Sequence, residues 1–158
     1  MTNENLPIPT KVRNLRKAGT YILVIRLEEE RDIAVGSLGS MAFRAGYYLY
    51  VGSALAGLGA RLARHLRKEK TLHWHIDYLL EYGEIEETWY SLGTQHLECD
   101  WAHAIEDLPS VSASHNRFGA SDCACPTHLF YSPERPEFRI TQAHLRIAHC
   151  QRIPPLPP

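Results

Sequence analysis

The sequence predicts an α+β domain, with a small central antiparallel β-sheet flanked by three helices. Three observations carry this. Segments 20–27, 47–51 and 85–92 concentrate β-branched, aromatic and aliphatic residues, the composition of strands. Leu58, Leu62 and Leu66 recur every four residues, which gives a helix one apolar stripe. Glycines at 36, 39, 46, 52 and 57 break the chain between these patterns.

Each element follows in order. Residues 1–18 form a lead-in made basic by Lys11, Arg13, Arg16 and Lys17. Segment 20–27 is almost continuously apolar, so it is expected to be buried on both faces. A charged turn at 28–32 leads to a short return strand at 33–35. Residues 47–51 form the next strand. The leucine stripe predicts a helix over 58–68, and Thr71 is the expected cap of a second helix over 73–81. A strand over 85–92 precedes a third helix over 95–108. The polar stretch 109–126 is a loop long enough to be functional, and 128–131 forms a final strand. Residues 133–158 are an extension ending in a proline-rich, extended tail. The domain proper is therefore expected over 19–132.

Composition narrows the function. Hydrophobic residues make up 44% of the 158, and the net charge is −1. A chain of this length and balance builds one core, and any nucleic-acid contact must come from local basic patches. Residues 1–9 lack the apolar centre of an export signal, and no apolar run approaches the ~20 residues of a membrane span. The expectation is a cytoplasmic protein, without membrane contact, whose four cysteines (99, 123, 125 and 150) stay reduced.

The chemistry concentrates around Tyr50. A strand ending there turns at Gly52 into a helix presenting Arg61 and His65 on one face. A guanidinium can neutralise charge on phosphate oxygens, and a phenol or imidazole can move a proton to or from water. Arg64, Arg67 and Lys68 lie on the rest of this helix and suit nucleic-acid backbone, as a solvated basic face also would. His73, His75 and Asp77 cluster at a helix start, where capping and phosphate or metal contact are both open. Cys123, Cys125 and His128 are metal-ligand types, but the cysteines are one residue apart, tighter than the usual zinc pair. A closed zinc site needs a fourth ligand such as Cys99 or His115, so zinc is not the expected metal. Otherwise Asp122 and its neighbours order the loop or line a cleft.

Taken in order, Gly19-Thr20-Tyr21, Tyr50-Val51-Gly52, Arg61 with His65, and a later glutamate resemble the GIY-YIG nuclease superfamily. Segments 46–54, 64–65, 73–79 and 118–123 resemble its Uri-type branch, and the likeness spans roughly 19–131. The resemblance implies a GIY-YIG-like fold and a metal-dependent DNA endonuclease. It implies Tyr21 as general base, Tyr50 as a group orienting water and phosphate, and Arg61 as stabiliser of the transition state. His65 would act near the phosphate, and Glu98 would hold one magnesium or manganese ion. Glu81 and Glu106 are the alternative carboxylates. Ser53 stands where some relatives carry lysine, and it is assigned with Arg64, Arg67 and Lys68 to nucleic-acid contact. Tyr21 and Tyr50 are 29 positions apart (50 − 21), more than is usual there, so an extra strand or loop is expected between them. The resemblance leaves double-stranded, single-stranded and branched DNA open as substrates, and RNA as well. The competing readings are a nucleic-acid-binding module without turnover and a zinc-stabilised interaction protein.

Overall fold

The computed structural model describes residues 16–121, 123–145 and 151–153. The expected α+β architecture is present. A six-stranded antiparallel sheet has the order β6-β7-β4-β1-β5-β8. Its strands are β1 (Gly19–Leu27), β4 (Gly46–Ala54), β5 (Glu84–Leu92), β6 (Ser112–Ala113), β7 (Leu129–Ser132) and β8 (Gln151–Ile153). The remaining strands, β2 (Arg31–Ala34) and β3 (Ser40–Phe43), form a separate hairpin. This hairpin occupies the long interval between Tyr21 and Tyr50.

β1 is central, paired with β4 on one side and β5 on the other. Its unbroken apolar run follows from this position, because both of its faces are covered. Tyr21, Leu23 and Ile25 point to one core, with Leu58 and Leu62 of α1 (Leu58–Leu66) and Ile76 and Leu79 of α2 (His75–Leu80). Ile22 and Val24 point to the other, with Trp101 and Ile105 of α3 (Glu98–Glu106) and Leu145 of α4 (Phe138–Leu145). The sheet is thus the middle of three layers.

Several boundaries differ from expectation. α2 starts at His75, and its entry is capped from inside the helix rather than by Thr71. The Asp77 carboxylate accepts the backbone N–H groups of His73 and Trp74 at 2.8 and 2.9 Å. Segment 128–131 is not the last strand. α4 packs beside α3, and β8 pairs with β5, so much of 133–158 belongs to the domain. Glu87, buried on β5, ties this part down by accepting hydrogen bonds from Arg135, Arg152 and the Trp89 indole. Residues 1–15 of the lead-in, and 154–158 of the tail, lie outside the described residues. None of the described helices is long and apolar enough to cross a membrane.

Candidate active site

Strand register brings Tyr21 and Tyr50 together. Tyr21 pairs with Gly52, and Leu23 pairs with Tyr50. Residues two apart on a strand share a face, so Tyr21 and Tyr50 point the same way, with ring centroids 6.5 Å apart. Gly52 makes this possible. A Cβ there would lie 2.5 Å from the Tyr21 hydroxyl oxygen and closer still to its ring. Gly52 therefore leaves the space that the Tyr21 side chain fills.

α1 crosses the same face. Leu58, Leu62 and His65 are its inward positions, so His65 lies beneath the site rather than in its wall. The Tyr21 hydroxyl and His65 Nε2 are 2.6 Å apart, both groups almost fully buried. Burial drives the His65 imidazole down to about 3, helped by the Lys70, Arg61 and Arg64 cations. Burial also pushes the Tyr21 phenol up to about 12, against the pull of Arg61. Tyr50 is raised well above the ordinary phenol range, by burial and by Tyr21. Near neutral pH the pair is therefore a phenol against a neutral imidazole. His65 Nδ1 is buried without a hydrogen-bond partner.

Above this pair lies a cleft of about 640 Å³. Tyr21, Tyr50, Arg61 and Glu98 all line it, with Ser53, His73, His75 and His128. Arg61 is held by donating to the Ser53 carbonyl at 2.8 Å, and its guanidinium lies over the Trp74 indole, 4.4 Å from the ring centre. Glu98 is the first residue of α3, so one helix start supplies the acidic wall. His75 is anchored by the Gly119 N–H, which donates to its Nδ1 at 2.9 Å, and burial lowers its pKa. Gly119 has φ +69°, and a side chain there would meet the Tyr50 ring. The 118–121 stretch can approach the tyrosine only because this residue is glycine.

Other expected site residues have structural partners. Asp77 is fully buried and receives two hydrogen bonds from Arg64, at 2.9 and 3.0 Å. These bonds and the two backbone N–H groups hold its carboxyl below the usual range, against burial. Asp77 is thus a capping and ion-pairing residue, outside the cleft wall. Arg64 departs from the expectation of a free side chain for nucleic acid, because its guanidinium is engaged by Asp77 and the Thr71 carbonyl. Lys68 is exposed and pairs with exposed Glu84, an interaction worth at most ~1 kcal/mol and easily exchanged. Arg67 is exposed. Asp122 lies outside the described residues.

The loop before β7 brings a second group together. Cys99, Cys123, Cys125 and His128 place one ligand atom each within 4.8 Å of one another. His115 is not among them, since its ring nitrogens are taken by Ser114 and the Ala42 carbonyl. Leu55, Ala56, Trp74 and His96 also line the cleft, although no pattern in the sequence gives them a role. Trp74 sits inside the polar 73–77 cluster, and His96 is two residues before Glu98; proximity to those residues was the signal available.

Fold and site define a three-layer α+β domain with a polar cleft, rich in histidine, at the buried tyrosine pair. Residues 20–149 match the family model described as Domain of unknown function DUF123, and the chain belongs to that family. No curated protein and no solved structure matches it.

Proposed function

We propose that this cleft hydrolyses phosphodiester bonds, and that the protein is a metal-dependent endonuclease acting on DNA. The observation that supports this best is the meeting of Tyr21, Tyr50, Arg61 and Glu98 in one cleft, with His65 hydrogen-bonded behind Tyr21. The resemblance of the ordered motifs to GIY-YIG nucleases points the same way. A DNA substrate and reduced thiols suit a cytoplasmic protein.

The residues divide the work. A phosphate entering the cleft meets Arg61, whose guanidinium offsets charge on the non-bridging oxygens as the transition state forms. Tyr21 stands where it can take a proton from an attacking water while passing its own to His65 Nε2, so the hydroxyl stays neutral throughout. The new O–P bond forms as the leaving oxygen departs and takes a proton from solvent. A phenol at about 12 and an imidazole at about 3 are poorly matched for this in the free protein. The phosphate's negative charge narrows the mismatch, because a nearby anion favours the imidazolium. Tyr50 orients water or phosphate from the adjacent strand. Arg67 and Lys68 supply backbone contacts that carry affinity without reading sequence.

The donor set fits magnesium or manganese at Glu98. One hard carboxylate on an open, polar cleft leaves the other coordination positions to water and phosphate oxygens, as magnesium prefers. An ion held there by Glu98 would supply Lewis-acid stabilisation of charge on the phosphoryl group.

One observation favours a binding module without turnover: the Tyr21 hydroxyl is already satisfied by a buried partner, as a purely structural tyrosine would be. Nicking of supercoiled plasmid separates the two. Wild type with magnesium or manganese should nick it, and Arg61→Ala or Glu98→Ala should lower the rate by ~100-fold or more. Salt-sensitive binding with no cleavage of DNA or RNA under either metal would establish the binding module instead.

A further inference from the structure

The Cys99, Cys123, Cys125 and His128 cluster lies outside the proposed chemistry. Its four groups come from two distant segments. Cys99 is the second residue of α3, and the other three come from the loop leading into β7. Their ligand atoms lie within 4.8 Å of one another. Around zinc with bonds of ~2.3 Å to sulfur, tetrahedral ligands sit ~3.8 Å apart, so a small contraction closes the set. One edge is already inside that length: Cys123 Sγ and His128 Nε2 are 3.4 Å apart.

The loop is built to present these groups. Arg117 donates to the carbonyls of both Cys123 and Cys125. The backbone of His128 is held on both sides: its amide N–H donates to the Phe118 carbonyl, and its carbonyl accepts from the Val51 N–H on β4. Ser110, His115 and Arg117 all have positive φ, a conformation uncommon for such residues. Cys125 and His128 are buried, and thiols are weak hydrogen-bonding partners for a buried imidazole. A bound cation would satisfy all four groups at once.

We propose that Cys99, Cys123, Cys125 and His128 bind one structural zinc ion. Three thiolates and an imidazole are the ligand class that selects zinc in tetrahedral geometry, and four protein ligands close the site. The tight C-x-C pair is accommodated because the third thiolate comes from α3 rather than from a second local pair. The ion would pin the start of α3 to the β7 loop. Glu98 and His128, two walls of the cleft, would thereby be fixed relative to each other. The assignment does not rest on the nuclease reading, and its test needs no activity.

The full chain should be purified without chelator and its metal content measured by mass spectrometry. The expected result is one zinc per chain. Stripping the ion should lower the thermal midpoint by about 10 °C, with recovery on adding zinc. Cobalt added to the stripped protein should give the intense visible bands of tetrahedral thiolate coordination. Cys125→Ser should lose the bound zinc. Should that variant fail to fold, the cobalt spectrum of wild type decides. Peptide mapping after alkylation gives the opposing outcomes. Folded, metal-free protein with these cysteines freely alkylated overturns the proposal, as does a disulfide among them.

Discussion

His65 gives a stability prediction that can be worked from the fold. Its imidazole is buried against Tyr21 and surrounded by the cations Lys70, Arg61 and Arg64, with the Asp77 carboxylate pulling the other way. Its pKa falls from 6.5 to about 3. Below 6.5 the unfolded chain takes up a proton that the folded chain refuses, so acid favours unfolding. The stability involved is complete above 6.5 and falls as pH drops toward 3. Each pH unit in that window costs ~1.4 kcal/mol, so two units of acidification, to about pH 4.5, cost ~2.7 kcal/mol. His65→Gln keeps a hydrogen-bonding partner for Tyr21 and removes the titration. Urea unfolding of both proteins at about pH 7.5 and about pH 4.5 isolates the effect, since Asp77 and the other carboxylates titrate in both and cancel. Wild type should lose ~2.7 kcal/mol more than the variant between the two conditions. Equal losses would refute the reasoning, because His65 would then be protonated as readily in the folded state as in the unfolded one.

Two further predictions concern the scaffold. Gly52→Ala forces its Cβ into the Tyr21 ring and strains the Tyr21–His65 hydrogen bond. It should cost ~1–3 kcal/mol in urea unfolding; an unchanged midpoint would mean that Tyr21 has room to move. Asp77→Asn removes the charge partner of Arg64 and weakens the cap of α2. Thermal and urea unfolding should show a loss of ~2–4 kcal/mol at neutral pH. Because the Asp77 carboxyl is held low, its contribution is present above the usual carboxylate range and fades as pH falls through the folded value.

The parts of the fold that were legible in sequence are those with strong local patterns. The apolar run of β1 required cover on both faces, and the leucine repeat required a buried stripe on α1. The leucine repeat was a partial guide, since Leu58 and Leu62 are buried but Leu66 is only half-buried. Spacing put Arg61 and His65 on one helix face. It could not say that this face turns toward the sheet, which takes His65 under Tyr21. The cap of α2 was misread because Asp77 reaches back to the preceding N–H groups, whereas a local pattern favours a residue ahead of the helix. β8 is three residues long with one buried side chain, too short for any periodicity. Its place follows from pairing with β5, a long-range contact. Cys99 meets Cys123 across 24 positions (123 − 99) for the same kind of reason, through the docking of α3 beside the β7 loop.

The central claim is that the Tyr21 hydroxyl, backed by His65, performs chemistry on a phosphodiester in this cleft. Single-turnover nicking by wild type and Tyr21→Phe, with DNA binding measured alongside, tests it most directly. The ring of Tyr21 is buried and would be kept, so the variant should fold and bind DNA nearly as wild type does. Its cleavage rate should fall by ~100-fold or more, the scale of a lost proton-transfer group. Cleavage at the wild-type rate by Tyr21→Phe would contradict the claim and leave the hydroxyl a buried partner of His65 alone.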